Sequence, residues 1–171
     1  MNRLPKVMIV MGSDSDFPVV EPCIKTLKEF AVATDVYVCS AHRTPERASE
    51  LAKTADQEGF DVIIAAAGKA AHLPGVLAAY TPLPVIGLPV KSSTLDGLDS
   101  LLSIVQMPAG IPVATVALDG AVNAALLAVQ IISTREASLR ERMIEYKTSL
   151  SHKIEIKNRE LREKLQGDCK L

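Results

Sequence analysis

Three short polar segments in the first half of the chain hold most of the side chains that can bind an anion or move a proton near a helix start. The first is Gly12-Ser13-Asp14-Ser15-Asp16, between an apolar run and a helical pattern. Hydroxyls and free backbone N–H groups at a helix start suit a phosphate, which the helix dipole also favours. The segment has no Walker A pattern. Asp16 is unsuited to a phosphate by charge; it can bind sugar hydroxyls, or it can be an ordinary N-cap on a strand-to-helix turn.

The second segment, Ser40-Ala41-His42-Arg43-Thr44-Pro45, puts a histidine beside an arginine just ahead of a helix start. Both neighbours disfavour the imidazolium, so His42 can serve as a neutral base near physiological pH. Arg43 offers fork-shaped donors to a phosphate or carboxylate. The plainer reading has Thr44 capping the helix, Pro45 opening it, and His42 and Arg43 as solvated loop residues. The third segment, Ala67-Gly68-Lys69-Ala70-Ala71-His72, is small enough for backbone to approach a flat ligand, and Lys69 adds a charge. Gly68 can simply serve a turn, and His72 can cap or pack at a helix start. Of the two histidines, His42 is the one expected to act as acid and base.

These segments are positioned by a regular alternation. Lys6 to Met11 is a continuous β-prone run that reads as a strand buried on both faces. Phe17, Val20, Ile24, Leu27 and Phe30 then recur at spacings of three and four, the signature of an amphipathic helix. Further strands are expected at Asp35 to Cys39, Asp61 to Ala66, Pro84 to Leu88 and Pro112 to Ala117. Between and after them, helices are expected from Pro45 to about Glu58, stopped by Gly59, and at Ala71 to Ala79, Leu98 to Val105 and Ala121 to about Ile132. Strand-helix alternation of this kind implies parallel strands, right-handed crossovers and an α/β three-layer open sheet. In such sheets ligands bind at the carboxyl ends of the strands, so the three polar segments should meet in one crevice. A fourth loop, Gln106 to Pro112, stiffened by two prolines, can line its mouth or be a structural crossover.

The whole chain, 1–171, reads as one catalytic domain, with a charged helical extension from about residue 135. Leu139, Met143, Tyr146, Leu150 and Ile154 make a narrow apolar stripe on that extension, suited to a partner subunit and hence to a homo-oligomer. With 19 basic and 20 acidic residues the net charge is −1, which gives no global field to recruit nucleic acid or an anionic membrane. The 4% aromatic content moves the apolar mass to Ala, Val, Ile and Leu, away from an all-β sandwich. Cys23, Cys39 and Cys169 are odd in number and lack C-x-x-C spacing, which fits a reducing compartment. The opening run Met1 to Val10 is too short for a signal-peptide core, so a cytoplasmic location is expected. Val62 to Val90 is interrupted by Lys69, His72 and four prolines, so no membrane span is expected there.

Several strings taken together are similar to one family. MGSDSD at 11–16, SAHRTP at 40–45, AAHLPG at 70–75, DSLLSIVQMP at 99–108, GIPVAT at 110–115 and NAALLA at 123–128 resemble the 5-(carboxyamino)imidazole ribonucleotide mutase and aminoimidazole ribonucleotide carboxylase family of purine biosynthesis. The resemblance runs from about Val7 to Arg135. It implies a flavodoxin-like protomer, a homo-octamer with sites at protomer contacts, and no metal or organic cofactor. It also implies that His42 is the acid-base residue and that Ser13, Asp16 and Arg43 contact a phosphorylated aminoimidazole ribonucleotide, with Ser40, Gly68 and His72 as secondary contacts. In the mutase form, the N-carboxylate leaves as carbon dioxide, is held in the site and is attacked by C4 of the ring. The third segment departs from the usual mutase string G-A-G-G-A-A-H: Lys69 brings a basic residue, a trait of the branch that uses free carbon dioxide. The following AAHLPG keeps to the mutase branch. Mutase is the expected activity, with Lys69 handling the carboxyl group; direct carboxylation and a non-catalytic nucleotide-binding module are the alternatives.

Overall fold

The computed structural model describes residues 3–93 and 95–168, so Cys169 lies outside the described residues. Five strands form one parallel sheet: β1 (Lys6–Met11), β2 (Ala33–Val38), β3 (Val62–Gly68), β4 (Val85–Val90) and β5 (Ala114–Thr115), in the order β2-β1-β3-β4-β5. Helices α1 (Phe17–Glu29), α2 (Pro45–Thr54), α3 (Leu73–Ala78), α4 (Leu98–Val105) and α5 (Ala121–Ser133) connect or follow them. The chain goes outward from β1 to β2 and then returns to place β3 on the other side of β1. The connections therefore diverge on either side of the β1–β3 pair.

The apolar runs account for this arrangement. Val7 to Met11 pair with Val62 to Ala66 on one side and with Thr34 to Val38 on the other. Val7, Met8, Ile9, Val10, Ile63 and Ile64 are all fully buried, as a central parallel strand covered on both faces requires. Asp61, just ahead of β3, accepts from the Lys6 backbone N–H at 2.9 Å and pairs with Arg3, so the starts of the two central strands are fixed together. Cys23 and Cys39 are both buried and unpaired, and burial pushes the Cys23 thiol up to about 12.

Several boundaries differ from the sequence expectation. Strand β2 starts at Ala33 because its pairing begins opposite Lys6, where the Lys6 ammonium meets Asp35 at 2.7 Å; Cys39 still donates its N–H to Met11 at 2.9 Å beyond the strand's end. Helix α2 ends at Thr54, short of Glu58. Its C-terminal turn closes with Gly59 at φ 85° and the Phe60 N–H bonded to the Ala55 carbonyl, which buries the Phe60 ring. Helix α3 is shorter than expected at each end. Strand β5 shrinks to two residues at the sheet edge, where Pro112 has no N–H to give; one further bond, from Val116 N–H to the Gly87 carbonyl, extends the pairing.

Two compact units make up the chain, Met1–Ile132 and Ser133–Leu171. The second is dominated by one uninterrupted helix, α6 (Ala137–Asp168), in the place of the expected helical extension. At about 1.5 Å per residue its 32 residues span about 48 Å. Leu139 and Met143 on its apolar stripe are buried, whereas Leu150 and Ile154 are exposed, as are Leu161 and Leu165 further along the same face. No described helix is long and apolar enough to cross a membrane.

Packing of α4 on β4 depends on Gly87. A Cβ there would lie 2.2 Å from Ile104 Cγ2 and 3.0 Å from Val113 Cγ1. Gly87→Ala is expected to cost about 1–3 kcal/mol through overpacking, read as a lower urea midpoint at unchanged slope.

Candidate active site

The carboxyl ends of β1, β2 and β3 deliver the three polar segments to one crevice of about 760 Å³. All eight residues singled out from the sequence line it: Ser13, Asp16, Ser40, His42, Arg43, Gly68, Lys69 and His72. A fourth contribution was not anticipated. The loop leaving β4 brings Lys91, Ser92 and Ser93 to the same crevice. The same strand-end rule points to it once β4 runs to Val90, two residues beyond the Leu88 that the sequence pattern suggests. The Gln106 to Pro112 loop, by contrast, is absent from the lining; Met107 packs at Gly75 of α3.

The first segment folds as a 3-10 turn over Asp14–Asp16. Ser13 caps it by accepting from the Ser15 N–H at 3.3 Å, and the Asp16 carboxylate reaches back to accept from the Ser13 N–H at 3.1 Å, a reciprocal capping box. Asp16 thus stands at the N-cap position of α1 but makes no side-chain cap bond to it, against the plain N-cap reading. Burial raises the Asp16 pKa; the Ser13 hydrogen bond opposes this shift, and the nearby Asp14 charge adds to it. At Gly12 a Cβ would meet only ordinary van der Waals contacts.

The second segment is tied into a closed loop by Thr44. Its hydroxyl donates to the Ser40 carbonyl at 2.9 Å and accepts from the Ser40 N–H at 3.1 Å, while its own N–H donates to the same carbonyl at 2.8 Å. The side chain makes no cap bond to α2, so Thr44 braces the loop rather than the helix. This frees His42 and Arg43 to project. The Arg43 guanidinium donates to the Gly12 carbonyl at 3.5 Å, which spans the first two segments.

The third segment places a second histidine against the first. His42 Nε2 and His72 Nδ1 are 2.9 Å apart and the rings meet edge-on with centroids at 5.0 Å, so one ring donates its N–H to the other's lone pair. His72 occupies the N-cap position of α3 without a side-chain cap bond, so its ring serves the histidine pair and not the helix start. Gly68 is the last residue of β3, where a Cβ would come within 3.3 Å of the Val90 carbonyl; it lets β3 and β4 run close at the crevice edge. Lys69 follows with φ 55°.

The crevice brings together a hydrogen-bonded pair of histidines, a partly buried carboxylate at Asp16, and exposed cations at Arg43, Lys69 and Lys91. That combination suits a small ligand with sugar hydroxyls and more than one anionic group. No group of three or more potential metal ligands occurs among the described residues.

Comparisons with known proteins agree with this geometry. The AIR carboxylase family matches residues 6–153. A Pyrococcus abyssi N5-carboxyaminoimidazole ribonucleotide mutase is 59% identical over 147 residues, covering 86% of this chain and 84% of that protein. A Saccharomyces cerevisiae phosphoribosylaminoimidazole carboxylase is 52% identical over 92% of this chain, which matches 28% of that longer protein. The crystal structure of Treponema denticola PurE superposes with a TM-score of 0.83 at 31% identity, covering 92% of this chain and 98% of that one. The match to the family over most of its length, together with the shared flavodoxin-like fold, shows that this chain belongs to the AIR carboxylase family.

Proposed function

We propose that this chain is an N5-carboxyaminoimidazole ribonucleotide mutase, an isomerase of purine biosynthesis that moves the carboxylate from the exocyclic nitrogen to C4 of the aminoimidazole ring. The observation that carries the reading is the His42–His72 hydrogen bond in a crevice with separate carboxylate and cation sites. The 59% identical Pyrococcus abyssi mutase supports the same reaction.

The reaction requires two proton movements and one carboxyl movement. The N–C bond of the carbamate breaks, its electron pair returns to nitrogen and takes up a proton, and carbon dioxide stays in the crevice. Ring C4 then attacks that carbon dioxide to form the new C–C bond, and C4 loses its proton. One group can supply the first proton and accept the second, and His42 is assigned that role. His72 positions the ring and stabilises its protonated form through the bond between them. Ser13 and Ser40 hydroxyls and the Arg43 guanidinium bind the phosphate, Asp16 binds ribose hydroxyls, and the small residues at Gly68 admit the flat base. Lys69 is assigned to the carboxyl group. Confining carbon dioxide beside C4 replaces a bimolecular encounter with a positioned one.

The working form proposed is a cytoplasmic homo-octamer. Leu98, Leu102 and Val105 form an exposed apolar edge on α4, and Leu150 and Ile154 an exposed one on α6; both favour burial against further copies. The buried, unpaired Cys23 and Cys39 fit a reducing compartment. Direct carboxylation of aminoimidazole ribonucleotide is the second reading, favoured by the 52% identical yeast carboxylase.

Incubation with N5-carboxyaminoimidazole ribonucleotide is expected to yield the C4-carboxylated isomer; conversion no faster than the uncatalysed rate contradicts an enzyme. Saturation by low dissolved carbon dioxide with aminoimidazole ribonucleotide selects the carboxylase reading instead. His42→Asn is expected to lower kcat by about 100-fold or more while nucleotide binding persists, measured by turnover and calorimetry side by side. Asp16→Asn should weaken nucleotide binding yet leave the protein as stable as the wild type or more so at pH 7. The sign follows from the raised Asp16 pKa: the folded state favours the protonated acid, so the ionised side chain loses stability as pH rises through that value. The variant's thermal midpoint should therefore gain on the wild type as pH rises from 3 to 7.

A further inference from the structure

Five described residues other than glycine adopt the left-handed backbone region: Ala31, Lys69, Leu95, Asp96 and Asp119. Besides Lys69, three of them have local contacts on view, and Leu95 lies in the short 95–97 turn outside the crevice lining. The Asp119 carboxylate accepts from the Lys91 N–H at 2.9 Å, and Asp96 lies 3.4 Å from the Lys91 ammonium. Ala31 closes the end of α1, where its N–H donates to the Lys28 carbonyl at 2.9 Å. Lys69, at φ 55°, has no such compensation: among the described residues its side chain makes no hydrogen bond or ion pair, and it is exposed on the crevice wall. Lysine lacks the short polar side chain that lets Asn or Asp tolerate this conformation by bonding locally. Unfavourable backbone torsions that persist at a ligand crevice point to a function for the side chain they display.

Position narrows what that function is. Lys69 lies three residues before His72, on the loop that carries the acid-base partner of His42, whereas Ser13 and Asp16 lie on the loop after β1. Lys69 therefore shares its loop with the histidine pair and not with the Ser13–Asp16 turn. We infer that Lys69 is a specificity-determining residue held in a strained conformation so that its unpaired ammonium recognises the carboxylate of the carboxylated nucleotide, and not the phosphate. This rests on the ribonucleotide reading above and adds to it a discrimination: the site should tell carboxylated from uncarboxylated nucleotide chiefly through one cation.

Two full-length variants separate charge from strain. Lys69→Gln keeps the Cβ and the strain but removes the charge; Lys69→Gly removes both. Binding is measured by calorimetry with the C4-carboxylated aminoimidazole ribonucleotide and with uncarboxylated aminoimidazole ribonucleotide. Both variants are expected to lose about tenfold in affinity for the carboxylated nucleotide, as for one lost charge-assisted contact, and less than twofold for the other. The Lys69→Gly thermal midpoint should be no lower than that of the wild type, because glycine adopts positive φ freely. Equal losses for both nucleotides, no loss for either, or a lower midpoint in Lys69→Gly with unchanged discrimination overturns the assignment of Lys69 alone. A wild type that binds neither nucleotide overturns the functional reading beneath it.

Discussion

The parallel pairing of β1 with β3 governs the rest of the molecule. Residues 7–11 and 62–66 sit at the centre of the sheet with no access to water from either face, so their side chains are confined to Val, Met, Ile and Ala. A polar group in either strand would be stranded without a partner, and the chemistry is therefore pushed to the strand ends. At the carboxyl end the chain leaves β1 toward β2 and leaves β3 toward β4, so the two connections part and open a crevice between them. The His42 and His72 rings, 30 residues apart in sequence, meet because their loops leave strands on opposite sides of β1.

The loops of the crevice are held by side chains that bond backbone groups of their own loop. Thr44 closes the second loop on itself, and the Ser13–Asp16 capping box sets the first. Two residues with a local cost, Asp16 through burial of its charge and Lys69 through its backbone torsion, line the crevice. Sites that bind charged ligands commonly trade stability for pre-placed groups, because a charge already desolvated and oriented loses less when the ligand arrives.

Much of this was legible in the sequence. The apolar run at 6–11 and the three-and-four spacing from Phe17 gave strand and helix directly, and strand-helix alternation implied the parallel sheet and the convergence of its loops. Convergence does not depend on side-chain detail, which is why all eight singled-out residues fall in one crevice. The detail was less legible. Asp16 and Thr44 occupy N-cap positions by spacing, but each spends its side chain on the preceding loop, a choice between near-equal local hydrogen bonds that spacing cannot decide. The role of His72 depended on a contact across 30 residues, and the Lys91 loop on whether β4 ended at Leu88 or Val90. The left-handed torsion at Lys69, one residue past the end of β3, is a conformation that its residue type does not signal.

The central claim is that one crevice both releases the carboxyl group and returns it to the same nucleotide. Turnover of N5-carboxyaminoimidazole ribonucleotide carrying carbon-13 in its carboxylate, in buffer equilibrated with unlabelled carbon dioxide and bicarbonate, tests this directly by mass analysis of the product. The account predicts that the C4-carboxylated product keeps most of the label. Dilution of the label to the level of the dissolved pool would contradict it.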